Sequence, residues 1–259
     1  MGESQGVTRS SLRRSKRSAN FGSMFTPPEP FELRGEHIAI ELPGAHALFT
    51  TRRGGSSRGP YASLNLGLKT DDSREAVTAN RKSLSEELNL RLTFVRQVHD
   101  NRVVVVPDQT DGLPEADGQA TAARGIGLAI LAADCLPVVV ASQGAVAMLH
   151  AGWRGLASGV IEEGVRALRA LDGRGAMHAA IGPGAGPCCY EVGAEVHAQF
   201  GTHGRTLDLK AIARDRLREA GAETIHDVGL CTMCGPKLFF SHRRDRGVTG
   251  RQAGIAWLS

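Results

Sequence analysis

The chain has 259 residues, of which 41% are hydrophobic and 22% charged, an ordinary globular composition for one large domain or two small ones. No apolar run reaches the about 20 residues that a membrane-spanning helix needs. The net charge of +4 resides in residues 1–20, where Arg9, Arg13, Arg14, Lys16 and Arg17 face Glu3 alone, so the body is formally neutral and is not expected to bind a polyanion.

Residues 1–30 read as a disordered basic tail and a stiff Pro27-Pro28-Glu29-Pro30 linker, with Met24 as an alternative start. Arg13-Arg14 has no apolar segment behind it, so no export signal is expected. From residue 31 to 259 a single mixed α/β domain is the simplest reading. A short apolar segment lies around 38–42, and a strand is expected at 46–50, followed by a Gly- and Ser-rich loop at 51–60. Asp71-Asp72-Ser73 supplies N-caps for a helix running to about Asn89, with Val77, Leu84 and Leu88 near one face.

The middle of the chain is rich in strands. Segments 94–98 and 103–106 read as a hairpin turning at His99-Asp100-Asn101-Arg102. Segments 125–132, 138–141 and 146–150 are nearly continuous apolar runs, the pattern of strands buried on both faces. A helix is expected from Trp153 to Leu171. Strands at 179–181, 224–228 and 253–258 and helices near 192–200 and 209–217 complete the reading, with a tight Gly182–Pro187 connection.

Five cysteines in an odd count, two of them adjacent, do not form a secreted disulfide framework, so a reducing cytoplasm is expected. Cys188, Cys189, Cys231 and Cys234 are read as structural. Cys135 differs because Asp134 puts a carboxylate into an apolar stretch, which burial penalises unless it finds partners. His99 stands at a strand-to-turn junction, and His150 ends a buried run before Gly152. Two histidines and one cysteine at strand ends are the donor set of a metal site with an open fourth position. Zinc or another thiophilic cation suits these ligands. A cysteine nucleophile with one histidine as base is the competing chemistry, but it leaves the second histidine without a role. Arg52 and Arg154, in loops that adjoin these segments, are the candidate substrate contacts.

Gln97-Val98-His99, Ala133-Asp134-Cys135-Leu136-Pro137, His150-Ala151-Gly152-Trp153-Arg154-Gly155, Ile181-Gly182-Pro183 with Tyr190-Glu191-Val192-Gly193, and Ser241-His242-Arg243-Arg244-Asp245 with Gly250-Arg251 occur in this order. Together they resemble the YfiH-like, laccase-domain family across roughly residues 40–258. The resemblance implies mixed sheets flanked by helices, related to cysteine-histidine hydrolases, and a metal at His99, Cys135 and His150. It implies purine nucleoside phosphorylase activity on adenosine, inosine and methylthioadenosine with adenosine deamination in the same site, so the partners would be a nucleoside and phosphate. It also carries two alternatives, a copper-dependent polyphenol oxidase and a Cys135-dependent amidase acting on peptidoglycan precursors. A non-enzymatic alternative is a binding protein in which the trio is a structural zinc site. His99-Asp100 replaces the His-Gly of many members, an acidic residue beside the ligand. A multicopper cluster would need about ten histidines in paired motifs; this chain has nine and no His-X-His pair.

Overall fold

The computed structural model describes residues 25–106, 112–171 and 173–259. The basic tail up to residue 24 lies outside these residues. Phe25, beside the Pro-rich stretch, packs against the central core.

Among the described residues, twelve strands follow in chain order: β1 (Glu32–Arg34), β2 (His37–Leu42), β3 (Ala45–Phe49), β4 (Arg91–Thr93), β5 (Val103–Val105), β6 (Gly118–Thr121), β7 (Ile126–Ala132), β8 (Leu136–Gln143), β9 (Ala145–Ala151), β10 (Arg174–Ile181), β11 (Thr224–Asp227) and β12 (Gln252–Leu258). The α-helices are α1 (Arg74–Leu88), α2 (Trp153–Ser158), α3 (Val160–Ala170), α4 (Ala194–Ala198) and α5 (Leu209–Glu219). One six-stranded sheet has the order β1-β2-β3-β12-β7-β4, the other β11-β10-β8-β9-β6-β5. Both are mixed: β4–β7, β10–β11 and β5–β6 are parallel pairs among antiparallel ones.

The two sheets face each other across a core that includes Phe49, Ile130, Val139, Met148 and Ala256. Helix α1 covers the outer face of the first sheet through Leu84 and Leu88. Helices α2, α3 and α5 cover the second, with Leu156, Val165, Leu168 and Leu217 against β8 and β9. Strands in the middle of this four-layer stack meet apolar atoms on both faces, which is why β7, β8 and β9 read as unbroken hydrophobic runs. The sheets pack closely where side chains vanish. A Cβ on Gly254 would overlap Met148 Cε and lie 2.6 Å from Pro137 Cβ.

The helix predicted from the Asp71-Asp72-Ser73 caps forms as read. The Ser73 side chain accepts from Ala76 N–H, and Asn89 closes α1 in the left-handed region at φ 53°. Two expectations are corrected. The continuous helix at 153–171 is broken by Gly159 at φ 90° into α2 and α3. The 94–98/103–106 hairpin does not exist: the strand sits earlier, at β4 in the first sheet, and β5 belongs to the second. Segment 94–102 instead crosses between sheets. The amide N–H groups of Val98, His99 and Asp100 are taken by the Asp117 carboxylate and not by a strand partner. Gln97 imitates a strand with its side chain, bonding both the N–H and the C=O of Leu131. β1 and β6 were not anticipated.

Replacing Gly254 by Ala is expected to destabilise the domain by about 1–3 kcal/mol, because the Met148 methyl group and the rigid Pro137 ring leave no room for the new methyl group. Chemical denaturation would show a lower midpoint at unchanged slope.

Candidate metal centre

His99, Cys135 and His150 come together although they are distant in sequence and belong to three different elements. Their Nδ1 or Nε2 and Sγ atoms all lie within 4.8 Å of one another. Each is delivered by a distinct local device. His150 is the penultimate residue of β9, buried, and opposite Pro137 of β8. Cys135 precedes β8, at the same end of the β8–β9 pair. It is aimed by Asp134, which adopts φ 98°. His99 sits in the crossing segment at φ 63°. Left-handed backbone is costly for residues with a Cβ, so both turns must be held by their surroundings.

The holders are buried carboxylates. Asp117 is fully buried, at 0% exposure. Its Oδ2 accepts from Val98 N–H at 3.0 Å and Asp100 N–H at 2.9 Å; its Oδ1 accepts from His99 N–H at 3.0 Å. Oδ1 also accepts from His150 Nδ1 at 2.8 Å, and the Asp117 carbonyl accepts from His150 N–H at 2.7 Å. The carboxylate therefore fixes the His150 tautomer, with Nδ1 protonated and Nε2 free for a ligand role. Asp134 is held in turn by the Thr232 hydroxyl and Arg243 N–H, both at 2.7 Å. The acid that looked out of place in an apolar run thus has two partners.

The donor set fits a borderline metal. Bonds of about 2.3 Å to sulfur and 2.0–2.1 Å to nitrogen put tetrahedral ligands roughly 3.5 Å apart. Cys135 Sγ and His99 Nε2 are 3.9 Å apart. The His99 and His150 rings meet edge to face, with centroids 4.9 Å apart. Gly152 makes room for the cluster: a Cβ there would stand 2.9 Å from Cys135 Sγ and 3.4 Å from His99 Cδ2.

The electrostatics prepare the ligands. Burial pushes the Cys135 thiol up, but the His150 charge, with hydrogen bonds from His150 and His99, outweighs it and brings the pKa down to about 6. Burial pushes His150 down, yet the Cys135 thiolate and the Asp117 carboxylate lift it to about 9. Without metal, the pair is a thiolate–imidazolium at neutral pH.

The trio lines a cavity of about 490 Å³, within the range of small-molecule sites. Its wall includes Lys69, Arg81, Phe94, Trp153, Arg154, Tyr190, His242, Arg243 and Arg251. Arg154 lies over the Trp153 ring, with 4.3 Å between guanidinium carbon and centroid. Arg81 stacks on Phe94 at 3.7 Å. Burial, with Cys135 second, pushes the Tyr190 phenol up to about 12, so it remains a donor at neutral pH.

Arg154 therefore reaches the cavity, as its sequence position suggested. Arg52 does not. Its guanidinium donates to the carbonyls of Ala62, Pro60 and Pro236 and lies over Phe240, tying the 51–63 loop to the 236–240 segment. Asp117, Arg81, Arg243 and Arg251 were missed as site residues. Asp117 and Arg81 carry no motif signal, and arginines are solvated by default, so only the fold shows which of them turn inward.

A four-layer α/β/β/α sandwich with a His-Cys-His cluster at a strand-end cleft defines the class of protein. Residues 46–259 match the family described as multi-copper polyphenol oxidoreductase laccase, and the chain belongs to that family. A Xylella fastidiosa (strain Temecula1) protein named purine nucleoside phosphorylase is 41% identical over 245 residues, covering 83% of this chain and 93% of its own. The Escherichia coli K12 purine nucleoside phosphorylase YfiH is 38% identical over 232 residues, covering 83% and 94%. Among solved structures, Geobacillus stearothermophilus YlmD superposes with a TM-score of 0.82 at 34% identity, covering 89% of this chain and 99% of that one. Bacillus licheniformis YfiH gives 0.83 at 33%, covering 90% and 100%.

Asp117→Asn is expected to weaken metal affinity about 10–100-fold, since the NH2 group that replaces one carboxylate oxygen must face either the Val98 and Asp100 N–H groups or His99 N–H and His150 Nδ1–H. Competition with a chromophoric chelator measures this. Metal binding also requires Cys135 ionised and His150 neutral. Between about pH 6 and 9 the pair must then release one proton, and below about 6 two. From this pair, affinity is expected to rise about tenfold per pH unit between 6 and 9, flatten above, and fall more steeply below. Calorimetry in buffers of different ionisation enthalpy counts the protons.

Proposed function

We propose that the protein is a metal-dependent purine nucleoside phosphorylase, acting on adenosine, inosine and methylthioadenosine, with adenosine deamination at the same site. The carrying observation is the His99–Cys135–His150 cluster in a 490 Å³ cleft walled by arginines and aromatic rings. The names of the relatives support the same substrate class.

His99, Cys135 and His150 would hold the metal, zinc by donor chemistry, with copper the other candidate. When bound it supplies Lewis acidity at an open coordination position. Arg154 would bind the phosphate dianion; its neighbour Arg243 is anchored through Nη1 to the Glu191 carbonyl and keeps its remaining donors. A phosphate oxygen attacks the anomeric carbon of the ribose, and the glycosidic bond breaks with its electron pair leaving on the purine. Phe94 and Trp153 offer apolar surface for the base, and the Tyr190 hydroxyl offers a hydrogen bond to the departing purine. Asp117 holds His150 and the His99 turn while this happens. A purely structural role for the trio fits less well, because its ligand atoms open onto the cavity. A multicopper oxidase is also a poor fit, because the trio provides three ligands for one metal.

One observation favours a second reading. Asp117, His150 and Cys135 form an acid–imidazole–thiolate line, the arrangement of cysteine hydrolases, which suits an amidase acting on peptidoglycan precursors. Metal dependence separates the two.

Zinc-loaded protein given adenosine, inosine or methylthioadenosine with phosphate is expected to form free base and ribose 1-phosphate or its methylthio analogue, and inosine from adenosine. Cys135→Ala and chelator treatment should each abolish turnover, as followed by chromatography. Absence of all these products, with amide hydrolysis of a muramyl peptide surviving chelation but not thiol alkylation, would establish the amidase instead.

A further inference from the structure

The four cysteines left over by this chemistry are not dispersed. Cys188 and Cys189 follow the Gly182–Pro187 connection, and Cys231 and Cys234 bracket the turn after β11. Their sulfur atoms all lie within 4.8 Å of one another. Cys234 Sγ is 3.5 Å from that of Cys188 and 3.2 Å from that of Cys189. Tetrahedral bonds of about 2.3 Å place thiolates roughly 3.8 Å apart, so the cluster is already near the spacing of a closed four-sulfur site. Cys231-Thr232-Met233-Cys234 has the two-residue gap of one half of such a site.

Two bland explanations fail. Core packing does not account for the group, because Cys188 and Cys234 are exposed and the other two half-buried. Chance clustering does not account for the polar support. Gly186 N–H points at Cys231 Sγ at 3.3 Å, a donor that suits a thiolate. Buried Lys210, paired with Asp227, donates to the Leu230 carbonyl next to Cys231, and Arg244, paired with Asp245, donates to the Thr232 carbonyl, so both brace the backbone of the turn.

We propose that Cys188, Cys189, Cys231 and Cys234 form a second metal centre, a four-thiolate zinc site that clamps the 182–190 connection to the 230–235 turn. The clamp has a specific use. The two segments already meet through Gly184 N–H to Leu230 carbonyl and Thr232 N–H to Gly184 carbonyl. Together they grip the residue that aims Cys135. Ala185 N–H donates to the Asp134 carbonyl at 2.7 Å, and the Thr232 hydroxyl donates to its carboxylate. The second metal would hold Asp134 in its left-handed turn and so fix the first site from behind, without touching substrate.

The test is metal content of the full chain purified under reducing conditions with zinc supplied. About two zinc ions per chain are expected, and the double variant Cys135→Ser/His150→Ala should keep about one. Cobalt loaded into that variant should show the intense sulfur-to-metal charge transfer of a four-thiolate ion. Conversely, Cys231→Ser/Cys234→Ser should lose one ion and keep the one held by the trio. If that variant does not fold, thiol protection still decides. Four cysteines of the Cys135→Ser/His150→Ala protein should resist alkylation until a chelator is added. No metal in that protein together with freely alkylated thiols overturns the proposal. So does a Cys189–Cys234 disulfide that persists in wild type purified under reductant, seen as a loss of two hydrogens by mass spectrometry.

Discussion

The candidate site depends on one buried carboxylate. Asp117 has no exposure to water and would be prohibitively costly there if it were unpaired. It is compensated by three consecutive amide N–H groups from Val98 to Asp100 and by the His150 ring. The same bonds that stabilise the charge build the His99 turn and orient His150. Charge compensation and site assembly are therefore one interaction, and neither histidine would be placed without it.

The sandwich explains why such strained elements persist. His99 and Asp134 both occupy left-handed backbone, an arrangement that survives only when rigid neighbours outweigh its cost. The neighbours are the ends of β8 and β9, central strands with a second sheet on one face and helices on the other. Strand ends in such a stack are fixed in position while their connecting loops remain free to vary. The cluster lies at this boundary, with donor atoms open to a cleft and their support buried.

Much of this was legible in the chain itself. Continuous apolar runs marked β7, β8 and β9, and Ser73 and Asn89 marked the limits of α1, because burial on two faces and capping are local in sequence. Asp134 stood out by the same logic, as a carboxylate that must find partners. The 94–106 hairpin was misread because its amides are satisfied by a side chain 17 to 19 residues away, which no local pattern reveals. Gly159 splitting α2 from α3 was overlooked because one glycine inside a helical repeat is a weak signal until its φ is known.

The sequence by itself determined the residue types of the candidate site, the class of fold and the family, since these rest on residue chemistry, hydrophobic period and ordered motifs. Only the tertiary structure decided which polar residues converge. Arg52 and Arg154 look alike in sequence, yet one binds three carbonyls and the other faces the cavity. Asp117 and the four remaining cysteines acquire meaning only when separate strands and turns bring them within hydrogen-bonding or ligand distance. The physical reason is the same in each case. Hydrogen bonds and metal ligation act over a few ångströms, and chain separation carries little information about which atoms share that space.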